Sequence, residues 1–135
     1  MNLVVDCSFI MSGILPDEAD KNIQYYLYEI YVPSIFFLEC NNVLLSALKR
    51  DRIQESSYFE YTNLLKNLPL QIDNFSTTKE SLYFIGQLAK KHTLTAYDAS
   101  YLELAIRINA TIATFDKDLQ GACIKEKVHL IQTSK

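Results

Sequence analysis

A chain of 135 residues, 49% of them hydrophobic, can bury one core of ordinary size, and no second domain is expected. Its net charge of -3 disfavours a nucleic-acid partner at first sight, and no stretch reaches the roughly 18 apolar residues of a membrane span. Cys7, Cys40 and Cys123 lack any CxxC spacing, so neither disulfides nor structural zinc is supported, and the opening MNLVVDCSF has no basic leader, so a cytosolic protein is expected.

Leu3-Val4-Val5 has the pattern of a central parallel strand buried on both faces, and Asp6 closes it at the carboxyl end. Ser8 follows, and Gly13 with Pro16 marks a loop. Asp17, Glu18 and Asp20 read as the acidic first turn of a helix that carries Ile23, Tyr26, Leu27 and Ile30 at helical spacing. Val32-Pro33-Ser34 breaks this pattern, and SIFFLECNNVLLSALKR reads as a long helix with Pro33 at its start. Glu39 interrupts its apolar surface, with Asn42 three residues on and so on the same face. A carboxylate there is costly unless it is paired or bound to metal.

Ile53 to Leu68 gives a further helix with more apolar residues than one buried stripe needs, Tyr58, Phe59, Tyr61 and Leu64 among them. With Leu44, Leu45 and Leu48 it forms either a projecting hairpin that offers a protein interface or ordinary core. Leu70-Gln71-Ile72 is a candidate edge strand, and Thr78 is placed to cap a helix running to about His92. Thr95 caps the next helix, which is apolar nearly all round and stops at Asn109. Ala110 to Thr114 is then a short strand ending at Phe115-Asp116, and Val128 to Ile131 is a last strand. Strands at 3–5, 111–114 and 128–131 alternating with helices predict an α/β fold with a parallel sheet between helical layers.

Four acids lie at strand ends or interrupt apolar helices: Asp6, Glu39, Asp98 and Asp116. They are hard oxygen ligands without Cys or His in company, a set suited to magnesium or manganese, which keep several waters and leave positions for phosphate oxygens. Two such ions would activate a water and stabilise the leaving oxygen of a phosphodiester. Setting these acids aside as ligands turns the charge balance slightly positive, so a nucleic-acid substrate becomes admissible. The basic clusters Lys49-Arg50-Arg52 and Lys90-Lys91-His92 fit phosphate contacts and solvated helix ends equally well. Asp98 three residues after Thr95 also fits a capping box. Asp118 is either a fifth acid or, as favoured here, the cap of a short helix after Asp116. Tyr97 fits base stacking or the core, and His92 and His129 read as ordinary residues.

VVDCSF, PSIFFLECNNVL, TAYDASYLELA and ATFDKDL together resemble the blocks of the PIN-domain nucleases, and among them the VapC toxins of bacterial toxin–antitoxin pairs. The resemblance spans nearly the whole chain. It implies a three-layer α/β/α sandwich, a metal site of Asp6, Glu39, Asp98 and Asp116, and Ser8 and Thr114 as hydroxyls beside it. Asn42 would position substrate or metal-bound water, or orient Glu39. It further implies RNA cleavage with Mg2+ or Mn2+, a homodimer, and a cognate antitoxin, which is expected across 23–68 with a basic residue near Glu39 and Asp98. Two other readings stay open: a housekeeping PIN nuclease of RNA processing, and a PIN-like interaction module whose acids hold only a structural ion. A phosphatase with a nucleophilic Asp6 is disfavoured, because Asp6-Cys7-Ser8 lacks a second acid two residues on.

Overall fold

The computed structural model describes residues 1–14 and 27–131. Four parallel strands form one sheet in the order β3-β2-β1-β4, with β1 at Asn2–Val5, β2 at Glu29–Pro33, β3 at Leu70–Asp73 and β4 at Thr111–Ala113. Helices flank it in a three-layer α/β/α arrangement: α1 Cys7–Ile14, α2 Phe36–Lys49, α3 Glu55–Lys66, α4 Ser81–His92, α5 Ala96–Arg107 and α6 Lys117–Lys125. Among the described residues no helix is long and apolar enough to cross a membrane.

The core follows the sequence pattern. Leu3, Val4 and Val5 are fully buried, as a strand covered on both faces requires. Helix α2 turns Phe36, Cys40, Leu44 and Ala47 inward at helical spacing. Helix α5 is buried continuously from Ala99 to Ala105, in keeping with its nearly all-round apolar sequence, and Asn109 ends it in the left-handed region at φ 53°. Strand β3 is the edge strand expected at 70–72.

Several expectations are corrected. Ile30 belongs to strand β2 rather than to a helix: Tyr and Leu neighbours mimic a helical spacing, while Pro33, taken as a breaker, sits at the strand's last position opposite Asp73. The acidic turn at 17–20, Ile23 and Tyr26 lie outside the described residues. Gly13 lies within α1 instead of a loop. Thr78 does not cap α4; its hydroxyl donates to the Phe75 carbonyl at 2.7 Å, and the helix begins at Ser81. The strand expected at 128–131 is a single bridge, Leu130 beside Ile112.

Counting outward, β1 is followed by β2 and β3 on one side and by β4 on the other. The order therefore reverses between β1 and β4, and ligands of open α/β sheets gather at the carboxyl ends of strands at such a reversal. Asp6 leaves β1 there, and Thr114 and Asp116 leave β4.

Candidate active site

Asp6 is the most firmly held of the four acids. Ser8 Oγ and the Phe9 amide donate to its Oδ1 at 2.7 and 2.9 Å, and Thr114 Oγ1 donates to its Oδ2. The Thr114 hydroxyl in turn accepts from the Asp116 amide at 3.0 Å, and Ser8 Oγ accepts from the Phe115 amide at 3.3 Å. The two hydroxyls thus stitch the end of β1 to the end of β4. Burial pushes the Asp6 carboxyl above its ordinary value; these donors oppose the shift, and the Asp116 charge adds to it.

Asp116 has a second task, since its Oδ1 accepts from the Leu119 amide at 2.8 Å and makes it the N-cap of α6. Asp118, expected as that cap, instead lies exposed in the helix's first turn, and its charge reaches Asp98. At the head of α5, Thr95 Oγ1 accepts from the Asp98 amide at 3.1 Å. The cap uses the backbone of Asp98, and the Thr95 hydroxyl also favours the charged form of its carboxylate. Burial raises the Asp98 carboxyl, and the charges of Asp116, Asp6 and Asp118 raise it further.

Glu39 comes from α2. The buried Tyr101 hydroxyl, on α5, donates to its Oε1 at 2.6 Å. Burial raises the Glu39 carboxyl against that bond, with Asp98 and Asp6 adding repulsion. Tyr101 is the positioning group that the sequence did not disclose, because a tyrosine in an apolar helix reads as core. It also takes over the orienting task considered for Asn42, which is exposed.

Asp6, Glu39, Asp98 and Asp116 all line one open cleft of about 1080 Å3, together with Ser8, Asn42, Tyr97, Tyr101, Arg52 and Lys117. Thr114 sits behind it, buried against Asp6. The ion pairs found among the described residues, Glu126 with Lys91 and His92 and Arg107 with Asp73 and Glu103, involve none of the four acids. Among the described residues no three carboxylate, imidazole or thiol groups are gathered closely enough to enclose a metal ion. Carboxylates that line one open cleft without a basic partner among the described residues nevertheless suit a hard divalent cation, which takes one or two carboxylates directly and completes its shell with water and phosphate oxygens.

Comparison with known proteins places the chain in context. It matches the PIN domain family over residues 3–125. Ribonuclease VapC3 of Pyrobaculum aerophilum is 28% identical over 127 residues, covering 88% of this chain and 92% of that protein. The crystal structure of PAE2754 from the same organism superposes with a TM-score of 0.70 at 20% identity, over 90% of this chain and 86% of that one. Mycobacterium tuberculosis VapC20, a Sarcin-Ricin loop cleaving toxin, superposes with a TM-score of 0.67 at 12% identity, over 90% of this chain and 95% of that one.

Proposed function

The chain belongs to the PIN-domain family, and from that premise we propose that it is a metal-dependent endoribonuclease acting as the toxin of a toxin–antitoxin pair. The observation that carries this reading is the convergence on one cleft of four carboxylates from separate elements, none with a basic partner among the described residues. Its similarity to a ribonuclease supports the substrate class, and the likeness in fold to a Sarcin-Ricin loop cleaving toxin is consistent with the biological role.

Asp6, Glu39, Asp98 and Asp116 would hold Mg2+ or Mn2+, which when bound supplies a Lewis acid for phosphate oxygens and lowers the pKa of a coordinated water. Ser8 and Thr114 fix both oxygens of Asp6, so that carboxylate cannot swing as charge builds in the cleft. Tyr101 occupies Oε1 of Glu39 and leaves Oε2 for a cation or a water. Asp116 is pinned by the α6 amide that it caps. The Asp6, Glu39 and Asp116 carboxylates are thus oriented in advance, so that holding a cation would require little rearrangement of them.

The toxin reading also brings a cognate antitoxin, a homodimer and a cytoplasmic setting. Phe59 and Leu64 on α3 and Leu45 on α2 are exposed apolar residues suited to the antitoxin. The deciding experiment is sequencing of RNA 5′ ends after incubation with purified protein, with Mg2+, with Mn2+ and with chelator. Metal-dependent cuts that vanish in Asp98→Asn are expected. Equal cleavage by that variant would remove Asp98 from the site.

A further inference from the structure

The cleft exceeds what the acids require. At about 1080 Å3 it lies just above the roughly 300–1,000 Å3 typical of small-molecule sites, so it has room for a nucleotide beyond the phosphate being attacked. The wall beside the acids has its own character. Leu38, directly before Glu39, is 73% exposed, and Tyr97, directly before Asp98, is 60% exposed; both line the cleft. Tyr97 lies one helical turn from Tyr101 on α5, so its ring rises from the face that holds Glu39.

Asn42 lies one turn beyond Glu39 on α2 and also lines the cleft. Because Tyr101 orients Glu39, the exposed Asn42 amide is left without a hydrogen-bond partner among the described residues. Arg52, in the turn between α2 and α3, is exposed on the same cleft and joins none of the ion pairs among the described residues.

We propose that Tyr97, Leu38 and Asn42 form a subsite for an unpaired nucleobase next to the bond that is cut, with Arg52 on a neighbouring phosphate. This rests on the nuclease reading above. A tyrosine ring gives any base a stacking platform, while an amide sets a donor beside an acceptor, as the edge of a base does. Both contacts need a base that has left a duplex, so the subsite selects single-stranded RNA or loops. Stacking on Tyr97 supplies affinity, and Asn42 supplies base preference at one position. Arg52 contributes a sequence-independent, salt-sensitive component.

The test is cleavage of a randomised single-stranded RNA pool, with cut sites read by sequencing and rates measured on one preferred sequence. Tyr97→Ala is expected to raise KM about 5- to 150-fold with kcat little changed, and Tyr97→Phe to stay near the wild type. Asn42→Ala should flatten base preference at one position flanking the cut and leave the others as they were. Arg52→Gln should reduce the slope of log affinity against log salt by about 0.7. Melting curves establish that each variant is folded, which the exposure of these side chains favours. Folded Tyr97→Ala and Asn42→Ala proteins with wild-type KM and wild-type cut-site preference would overturn the subsite. Absence of any cleavage by the wild type would strike the nuclease reading itself.

Discussion

The Tyr101 hydroxyl donates to Glu39 Oε1 at 2.6 Å, which couples a residue in the buried middle of α5 to the acid that interrupts α2. That bond favours the charged carboxylate, against the burial that raises its pKa. Tyr101→Phe is therefore expected to raise the Glu39 pKa further and to shift the acidic limb of the pH–rate profile upward. Loss of such an orienting partner typically costs about 10- to 100-fold in metal affinity or activity. A profile identical to the wild type would show that Glu39 needs no such support.

Neutralising two of the acids should have opposite effects on stability. Asp98 suffers burial and the charges of Asp116, Asp6 and Asp118, with only the Thr95 contact in its favour. Asp98→Asn is thus expected to abolish cleavage and raise the metal-free melting temperature. Asp6 accepts from Ser8, Phe9 and Thr114, and an amide nitrogen facing the Thr114 hydroxyl cannot accept its proton. Asp6→Asn is expected to abolish cleavage while costing about 1–2 kcal/mol of stability. Melting both variants in chelator at pH 7 checks the contrast.

Divalent ions should stabilise the protein in a pH-dependent way. The raised pKa values of Asp6, Glu39 and Asp98 contribute stability below the ordinary carboxylate values of 3.8 to 4.5, and it is lost as pH rises through the raised ones. The metal-free protein should accordingly gain from these three groups as pH falls through the raised values toward the ordinary ones. A cation competes with those protons, so its effect runs the other way. At ten times its Kd it adds about 1.4 kcal/mol, a shift of a few degrees at this size. Melts with millimolar Mn2+ should show that shift at pH 7.5, with shrinkage as the pH is lowered toward the raised carboxyl values. A wild type indifferent to the ion throughout would sink the metal site.

Far from the cleft, Arg107 forks onto Asp73 at 2.8 and 3.0 Å and onto Glu103 at 2.8 and 3.1 Å, with its guanidinium 5.0 Å from the centre of the Phe75 ring. It fastens α5 to the edge strand β3. Arg107→Ala leaves the buried Glu103 unpaired, and a loss of about 2 kcal/mol is expected after allowance for the solvent that reaches the guanidinium. The Arg107 hydrogen bond holds Asp73 below its ordinary value of 3.8, so this contribution is present above that pH and lost as pH falls through the lowered value. Denaturant titrations at pH 7 and pH 3 should therefore differ less in the variant.

The sequence displayed those features in which one residue's chemistry conflicts with its surroundings. Acids at the ends of β-branched runs or within apolar helices, such as Asp6 and Glu39, stand out without any structure, and so does a helix as apolar as α5. Strand β2 was hidden because Ile30, Tyr31 and Val32 follow aromatic residues at helical spacing and precede a proline, so local pattern pointed one way and pairing with β1 and β3 the other. Spacing alone places Asn42 on the face of Glu39 and gives Tyr101 no role, whereas the bond to Glu39 depends on how α5 lies against α2. Asp116 and Asp118 both suit a helix start, and the structure decides between them by leaving Asp116 extended before α6 with its carboxylate on the Leu119 amide.

The hydroxyl of Thr114 reaches Asp6 across 108 positions of sequence. During synthesis the first strand is therefore made long before the last partner of its carboxylate. At about 5–20 residues per second the gap is roughly 5–20 s. Until then Asp6 lacks the Thr114 hydroxyl and the Asp116 charge, and the opening between β1 and β4 has only one side. On the nuclease reading proposed above, a nascent chain on the ribosome would therefore spare the RNA around it until the closing of the sheet completes the cleft.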